Sequence, residues 1–376
     1  MMEGWLAGLG DFMAHALFNE SIPSTSPLEK PQARVGEARI NQAFNPIRDK
    51  RRNVEINVGK ACNNRCVFCI DGMPKREDRS YMPYDDMKRE LELWYQSGSR
   101  SVGFLGGEPT TYPHIVESVA YAKQLGFTRI AIATNATRLR LPHFTDKLIE
   151  AGLTRATISM HGHTPELEDR ITRVPKVFEK KRKAILYLQA LRDKGHLADG
   201  LSVNIVLNGW NYRHLLGMMR FFYDEIGLDD LRINFVRPEG YAEGDPEITP
   251  RYTDVIPYLL KAIILSEKHW RRKTFTFGGF PLCTLPQALR ESDDLLRRHM
   301  GEYRDLSTDC SVRQDGEGFG IEEVADGRSR FNWQDRKRFD LKNAPPACSS
   351  CSKVHLCEGV WRGYMDIHGQ DEFSPV

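Results

Sequence analysis

The chain has 376 residues, 40% of them hydrophobic and 28% charged, which is an ordinary composition for a globular protein. Its 53 Lys and Arg against 51 Asp and Glu give a net charge of +2 at pH 7, so a nucleic-acid partner is not expected. No apolar run approaches the roughly 18 residues of a membrane helix, and residues 5–18 lack the basic start of a signal peptide. We therefore expect a cytoplasmic protein without a membrane partner.

The first part of the chain differs in pattern from the rest. Residues 1–50 show no sustained hydrophobic period and are rich in Ser and Pro at 21–31, so we expect an N-terminal extension and linker. From residue 51 to about 272, short apolar strand patterns alternate with longer helical patterns. The predicted strands are 54–58, 101–105, 129–133, 156–160, 201–207 and 231–236, and the predicted helices are 84–97, 114–125, 141–151, 176–194, 214–226 and 253–269.

Such alternation is typical of crossover units on a parallel sheet, and it predicts the α/β class. Six units are too few for a closed eight-fold barrel. We therefore expect a partial (β/α)6 barrel over residues 51–272, with its chemistry at the C-terminal ends of the strands. After residue 272 the rhythm is lost, and we expect residues 273–376 to form a small cysteine-rich domain stabilised by metal.

The eight cysteines fall into two groups, three within residues 62–69 and five within residues 283–357. A secreted disulfide scaffold would spread its cysteines through a short chain, so two metal sites explain this distribution better. The first group, Cys62-x3-Cys66-x2-Cys69, comes directly after the first predicted strand. Three thiolates on a [4Fe-4S] cluster leave one iron open to a ligand, whereas a zinc site would need a distant His or Cys as its fourth ligand.

This cysteine motif, with Phe68 before its last member, resembles the signature of radical S-adenosylmethionine (radical SAM) enzymes. The resemblance covers about residues 54–270. It implies that Cys62, Cys66 and Cys69 hold a [4Fe-4S] cluster whose fourth iron is chelated by SAM. It also implies that an electron from a reductant such as flavodoxin or ferredoxin cleaves SAM to a 5'-deoxyadenosyl radical, which abstracts a substrate hydrogen.

A second motif, Gly106-Gly107-Glu108-Pro109, comes directly after the second predicted strand. Paired glycines let a ligand approach the backbone, and the carboxylate can accept from an ammonium group, although a plain Gly-Pro turn is the alternative. In this position the motif resembles the GGEP motif of the same family, which implies contact with the SAM amino group.

Polar residues at other strand ends resemble further SAM contacts of the family, but each could instead cap a helix or satisfy a loop. They are Asn135 after the third strand, Ser159 at the end of the fourth and Arg173 in the next loop. The same edge carries candidates for pocket lining or substrate contact, namely Asn204, Asn208, Arg237, Pro238, His161 and His163.

The C-terminal group contains Cys348-x2-Cys351-x5-Cys357, with Cys283 further upstream. Four thiolates close either a [4Fe-4S] or a zinc site. The pattern resembles the SPASM extension of radical SAM enzymes in its shortened, twitch form, which implies one auxiliary cluster. Cys310 is left over: it replaces one of the four, faces the substrate or is a buried thiol.

The leading hypothesis is a radical SAM oxidoreductase that carries out a net oxidation or rearrangement of a small molecule. One alternative is a maturase of a ribosomally synthesised peptide, although residues 1–50 are too short for the winged-helix peptide-recognition domain that such enzymes commonly carry. An alternative of another class is a non-catalytic zinc or iron-sulfur protein.

Overall fold

The computed structural model describes residues 53–72, 80–312, 322–324 and 328–376. The predicted extension at residues 1–50 lies outside them. The strands are β1 (Asn53–Asn57), β2 (Ser101–Leu105), β3 (Arg129–Thr134), β4 (Arg155–Ser159), β5 (Gly200–Leu207), β6 (Asp230–Phe235), β7 (Thr274–Gly278), β8 (Thr308–Val312), β9 (Glu322–Val324), β10 (Arg328–Asn332), β11 (Lys342–Asn343) and β12 (Val360–Trp361). In this part of the chain, no helix is both long enough and apolar enough for a membrane span.

The helices are α1 (Tyr84–Gln96), α2 (Ile115–Leu125), α3 (Pro142–Ala151), α4 (Pro165–Thr172), α5 (Val177–Asp193), α6 (Leu215–Arg220), α7 (Tyr252–His269), α8 (Gln287–Arg290), α9 (Asp293–His299), α10 (Trp333–Arg336) and α11 (Arg362–His368). Gly126 and Gly152 end α2 and α3 in the left-handed conformation, with φ of 106° and 116°. Thr164 caps α4 by accepting a hydrogen bond from the Leu167 N–H.

The first ten strands form one sheet in the order β7-β6-β5-β4-β3-β2-β1-β8-β10-β9. Strands β1 to β8 pair in parallel, and β10 is antiparallel to both of its neighbours. The α/β class and the partial barrel are therefore confirmed, and each of the six predicted strands is present.

Two further parallel strands, β7 and β8, come from the segment after residue 272. The alternation of Thr with Phe in β7 is itself a strand pattern, but it is only five residues long and lies beyond the predicted barrel, whereas β8 is largely polar. Strand β7 is the edge strand beside β6, whereas β8 lies between β1 and β10. Both strands extend the same sheet as the first six, and a domain boundary at residue 273 stays a prediction.

The two faces of the sheet differ in chemistry because alternate residues point to opposite sides. Apolar residues such as Val54, Ile56 and Ile158 are fully buried on the outer side. The other side, which we call the inner face, carries polar or small residues at the intervening positions. These include Glu55, Gly103, Ala131, Thr157, Asn204, Arg232 and Thr276.

The inner face is concave. Asp305 lies 3.8 Å from Arg232 on β6, and its charge also acts on Glu55 of β1, five strands away in the sheet. Burial raises the pKa of Asp305, with Arg232 opposing, yet 48% of its side-chain surface is open to water. The raised pKa and the exposed side-chain surface both fit a carboxylate that lies within a concave, water-accessible face of the sheet.

Candidate functional site

The cysteine loop, residues 58–72, leaves the C-terminal end of β1 and is held from two sides. Arg65 N and Val67 N each donate to the last turn of α4, to Thr172 O and Ile171 O, at 3.0 Å. On the other side, Tyr241 N donates to Cys69 O at 3.0 Å. The loop is therefore fixed by backbone contacts at the edge of the sheet where parallel α/β proteins place their chemistry.

The three thiols of this loop lie together. Burial is the main cause that raises the pKa of Cys66 to about 12 and that of Cys69 to about 11, and the charge of Cys62 contributes at both. Cys62 Sγ accepts from Asn64 N at 3.4 Å and lies 3.9 Å from Asn135 Nδ2. Three adjacent thiols with N–H donors suit an iron-sulfur cluster, because such hydrogen bonds to sulfur are a normal part of these sites.

Glu108 is 1% exposed, and its carboxylate accepts four hydrogen bonds from protein donors. It accepts from Thr110 N at 2.9 Å, from Thr110 Oγ1 and Thr134 Oγ1 at 2.5 Å, and from Asn135 N at 2.7 Å. The side chain therefore fastens the turn after β2 to the turn after β3. Contact of this motif with SAM stays a prediction.

The paired glycines of the motif lie where the backbone of the turn packs directly on other backbone. A Cβ at Gly106 would lie 2.6 Å from Gly59 O, and one at Gly107 would lie 2.3 Å from Ala61 O. Gly107 N and Glu108 N donate to those same two carbonyls at 2.7 Å. The glycines thus allow the turn, which continues into buried Pro109, to pack directly on the cysteine loop, whereas the sequence suggested ligand approach.

The softer candidates also lie around this loop. Asn135 donates to Asn63 Oδ1 at 2.7 Å and so bridges to the loop directly. Phe68 packs edge to face on the ring of His161, with 4.7 Å between centroids. Arg173 ends α4 with φ of 53° and lies over the ring of Tyr241 at 5.2 Å. The structure brings these residues to one edge; their contact with SAM stays a prediction.

Other strand-end residues have protein partners. His161 Nδ1 accepts from Val206 N at 3.1 Å, and burial lowers its pKa, so the ring is neutral. Asn208 accepts from Trp210 N at 2.9 Å and satisfies its own loop, as the alternative predicted. Asn204 Oδ1 accepts from Asn234 Nδ2 on the inner face at 2.8 Å. His163 packs against Gly217 of α6, so it lies away from the loop.

Arg237 and Pro238, which come after β6, contact the C-terminal part of the chain. The Arg237 guanidinium lies 5.5 Å from the ring centroid of Trp333 and 5.7 Å from that of Trp361. A Cβ at Gly363 would lie 2.4 Å from Pro238 O, so backbone packs on backbone there. These two residues join the barrel to the cysteine-rich segment.

A buried ion pair was not expected from the sequence. Lys181 Nζ lies 2.6 Å from Glu168 Oε1, and both side chains are 0% exposed. Lys181 belongs to the basic run 179–183, which is otherwise typical of a solvated helix face. Its spacing from buried Val177, Phe178, Ala184 and Ile185 places it in the apolar stripe of α5, and that signal could have identified it.

The four C-terminal cysteines predicted as ligands also lie together. Burial is the main cause that raises the pKa of Cys283 to about 12, and the charges of Cys357, Cys348 and Cys351 contribute to it. Cys357 Sγ accepts backbone N–H groups from Leu282 and Gly359, the latter at 3.4 Å. Within the described residues, no group of three or more His, Cys, Asp or Glu is arranged around a single metal ion. Each thiolate of a [4Fe-4S] cluster binds a different iron.

Cys310 is separate from both groups. It lies on β8 opposite Glu55 of β1 and is 6% exposed. Burial raises its pKa, and its charged neighbours are Glu55, Asp309 and Arg336, with no cysteine among them. Of the three options for Cys310, its position favours a buried thiol beside the inner face.

An ionic network adjoins the C-terminal cysteines. Glu358, next to Cys357, lies 2.8 Å from both Lys337 Nζ and Lys342 Nζ. Although burial opposes it, these two ammonium groups lower the pKa of Glu358 to about 2. Glu302 accepts from Gly279 N at 2.8 Å, and Lys337 and Lys342 also act on its carboxylate. The network therefore extends from the cysteines to the end of β7.

Residues 56–222 match the model of the Radical SAM superfamily. The chain is 33% identical over 127 residues to the GTP 3',8-cyclase of Heliobacterium modesticaldum, covering 33% of this chain and 38% of that protein. It is 26% identical over 197 residues to the AdoMet-dependent heme synthase of Methanosarcina barkeri, covering 52% and 53%. The chain thus spans about two fifths to one half of the length of these curated relatives.

Solved structures share the fold. The crystal structure of Streptococcus suis SuiB bound to S-adenosylmethionine matches with a TM-score of 0.56 at 17% identity, covering 86% of this chain and 76% of that one. Native anSMEcpe with bound AdoMet matches with a TM-score of 0.51 at 13% identity, covering 86% and 92%. At such identities the likeness concerns the fold alone.

Proposed function

We propose that this chain, whose residues 56–222 belong to the radical SAM superfamily, is a radical SAM enzyme that acts by hydrogen abstraction. The observation that carries the proposal is the convergence of Cys62, Cys66 and Cys69 in one loop at the C-terminal edge of a parallel sheet. These thiols would hold a [4Fe-4S] cluster with one iron open to SAM. When bound, the cluster and SAM supply one-electron chemistry and a 5'-deoxyadenosyl radical.

The residues around the loop would position and shield this site. Glu108 locks two neighbouring turns against the loop, and the last turn of α4 holds its backbone. Asn64 N and Asn135 Nδ2 direct their hydrogens at Cys62 Sγ. These contacts within the protein hold the loop in the arrangement that brings the three thiols together.

In the same proposal, Cys283, Cys348, Cys351 and Cys357 hold an auxiliary [4Fe-4S] cluster. Four protein thiolates would leave no iron open, which favours electron transfer or support of the fold over direct substrate ligation. The Glu358 network beside Cys357 supplies buried charges at this site. Structural zinc is the alternative, and metal analysis separates the two.

A small polar substrate fits the inner face toward the C-terminal ends of the strands, where Asn204 and Asn234 are hydrogen-bonded at 2.8 Å. Arg129, Arg155 and Asp230 lie at the opposite edge, because they are the first residues of β3, β4 and β6. Relatives are named for a GTP cyclisation. We propose a net oxidation or rearrangement of a small molecule.

A peptide substrate is the second candidate, because a surface trough opens at the C-terminal ends of β5 and β6. Its volume is about 410 Å³, and its lining combines aromatic with charged groups, among them Trp210, Tyr212, Arg213, Glu247 and Arg251. Such a mixed surface suits an extended peptide. SuiB, which shares the fold, has been crystallised with a precursor peptide.

Anaerobic reconstitution tests the proposal. We expect about eight iron and eight sulfide per chain, as two [4Fe-4S] clusters require, and 5'-deoxyadenosine released from SAM with dithionite or reduced flavodoxin. Replacing Cys62, Cys66 and Cys69 with Ala should abolish deoxyadenosine, whereas Cys310→Ala should not. Zinc in place of iron, or clusters without deoxyadenosine, would instead identify a non-catalytic metal protein.

A further inference from the structure

The buried ion pair of Lys181 and Glu168 lies next to the cysteine loop, and neither residue is a predicted cluster ligand. Its members come from α5 and α4, and neither is exposed to solvent. Burying two charges costs more solvation energy than a single ion pair usually returns, so stability alone is a weak reason for this pair. Its contacts point to another role.

Those contacts lead to the cysteine loop. Glu168 Oε2 accepts from His161 N at 2.6 Å, and the His161 ring packs on Phe68, which lies between Cys66 and Cys69 in the chain. One turn further along α4, the carbonyls of Ile171 and Thr172 accept from the loop backbone. The pair and the loop are therefore held by the same helix.

The ammonium group of Lys181 is fixed in place. Besides Glu168, it donates to Ser159 O at the end of β4 at 2.7 Å. The charges of both partners act at the cysteine loop, because Lys181 and Glu168 influence the Cys66 thiol with opposite sign and Lys181 also acts on Cys62.

We propose that Lys181 and Glu168 are positioning residues that set the reduction potential of the cluster bound by Cys62, Cys66 and Cys69. The inference rests on the proposed function. A cluster that takes up an electron becomes more negative, and a fixed cation in a medium of low dielectric constant stabilises that reduced form. Glu168 opposes this effect while holding Lys181 in place.

Opposite signs are expected for the two single substitutions. Lys181→Met removes the cation and leaves the carboxylate, so the potential should become more negative. Glu168→Gln leaves the cation unopposed, so the potential should become less negative. The double variant Glu168→Gln/Lys181→Met should lie between them. We expect each single change to alter the ratio of reduced to oxidised cluster at least tenfold at fixed potential, or about 59 mV for a one-electron couple.

The experiment is a redox titration of the reconstituted full chain, monitored by electron paramagnetic resonance. Addition of SAM identifies the signal of the first cluster, since only that cluster has an open iron. Glu90→Gln is the matched control, because Glu90 is also a buried carboxylate paired with a cation, Arg330, and it lies on α1. It should leave the potential unchanged.

Equal potentials in all chains, or single variants that shift in the same direction, would overturn the inference while leaving the proposed function intact. If Lys181→Met does not retain iron, the other two variants still test the inference. The inference requires a less negative potential in Glu168→Gln than in the double variant. A wild-type chain without a cluster would overturn the proposed function as well.

Discussion

The carboxylate of Glu108 accepts a hydrogen bond from the backbone N–H of Asn135 at 2.7 Å, which ties the turn after β2 to the turn after β3. Asn135 in turn donates to Asn63 of the cysteine loop at 2.7 Å. Three consecutive turns at the C-terminal edge of the sheet are thus joined through two side chains. The integrity of this edge should therefore depend on Glu108.

Glu108→Gln should destabilise the chain. The substitution replaces a carboxylate that accepts four hydrogen bonds with an amide that presents N–H to some of the same donors. We expect the free energy of unfolding to fall by about 2 kcal/mol. Urea denaturation measures this, and Glu117→Gln on the exposed side of α2 should stay within about 0.5 kcal/mol of wild type. Equal stability of the two variants would contradict the role of Glu108.

Gly107→Ala should impair cluster assembly. Its Cβ would lie 2.3 Å from Ala61 O, so the turn and the cysteine loop would have to separate. Reconstitution should yield less iron, with the loss confined to the first cluster. Gly103→Ala is the control, since its Cβ would lie 3.5 Å from Glu55 Cγ, an ordinary contact. Iron content equal to that of the control would show that the glycine is not required for packing.

Glu55 should make stability depend on pH. Burial, and then the charge of Asp305, raise its pKa to about 7 from an ordinary value of 4.5, with Arg129 opposing. Between these values the folded chain binds more protons than the unfolded chain, so stability conferred by Glu55 is lost as pH rises from about 4.5 to 7. Thermal unfolding at pH 5 and pH 8 should show a smaller loss in Glu55→Gln than in wild type. The same loss in both chains would contradict this account.

The paired substitution Cys348→Ala/Cys351→Ala should remove about half the iron while the first cluster persists. The reason is spatial. Cys348 and Cys351 lie near Cys283 and Cys357, and the cysteines of the first loop are not among their neighbours. Iron analysis and electron paramagnetic resonance measure the effect, with Cys310→Ala as the control that keeps all iron. Loss of all iron in the paired variant would argue against two independent sites.

Much of the fold could be predicted from the sequence because the apolar pattern of six strands is strong, and the spacing of the cysteines identified both groups. Strand β8 escaped detection since its pairing with β1, rather than its own composition, makes it a strand. Lys181 was hidden within a basic run, and only helical periodicity separates it from its solvated neighbours.

The role of Glu108 could not be predicted for a different reason. Its four donors come from residues 110, 134 and 135, and only the register of β2 and β3 brings them together. The need for the paired glycines could not be predicted either. It comes from the backbone at Gly59 and Ala61, which is close in space but more than forty residues away in sequence.

The central claim, that three thiols hold a cluster with an open iron, is tested most directly by the electron paramagnetic resonance spectrum of the reduced chain before and after addition of SAM. In the Cys348→Ala/Cys351→Ala background only the first cluster contributes. We predict that SAM changes this spectrum, because it would bind the iron that lacks a cysteine. An unchanged spectrum in a chain with a full first cluster would contradict the account.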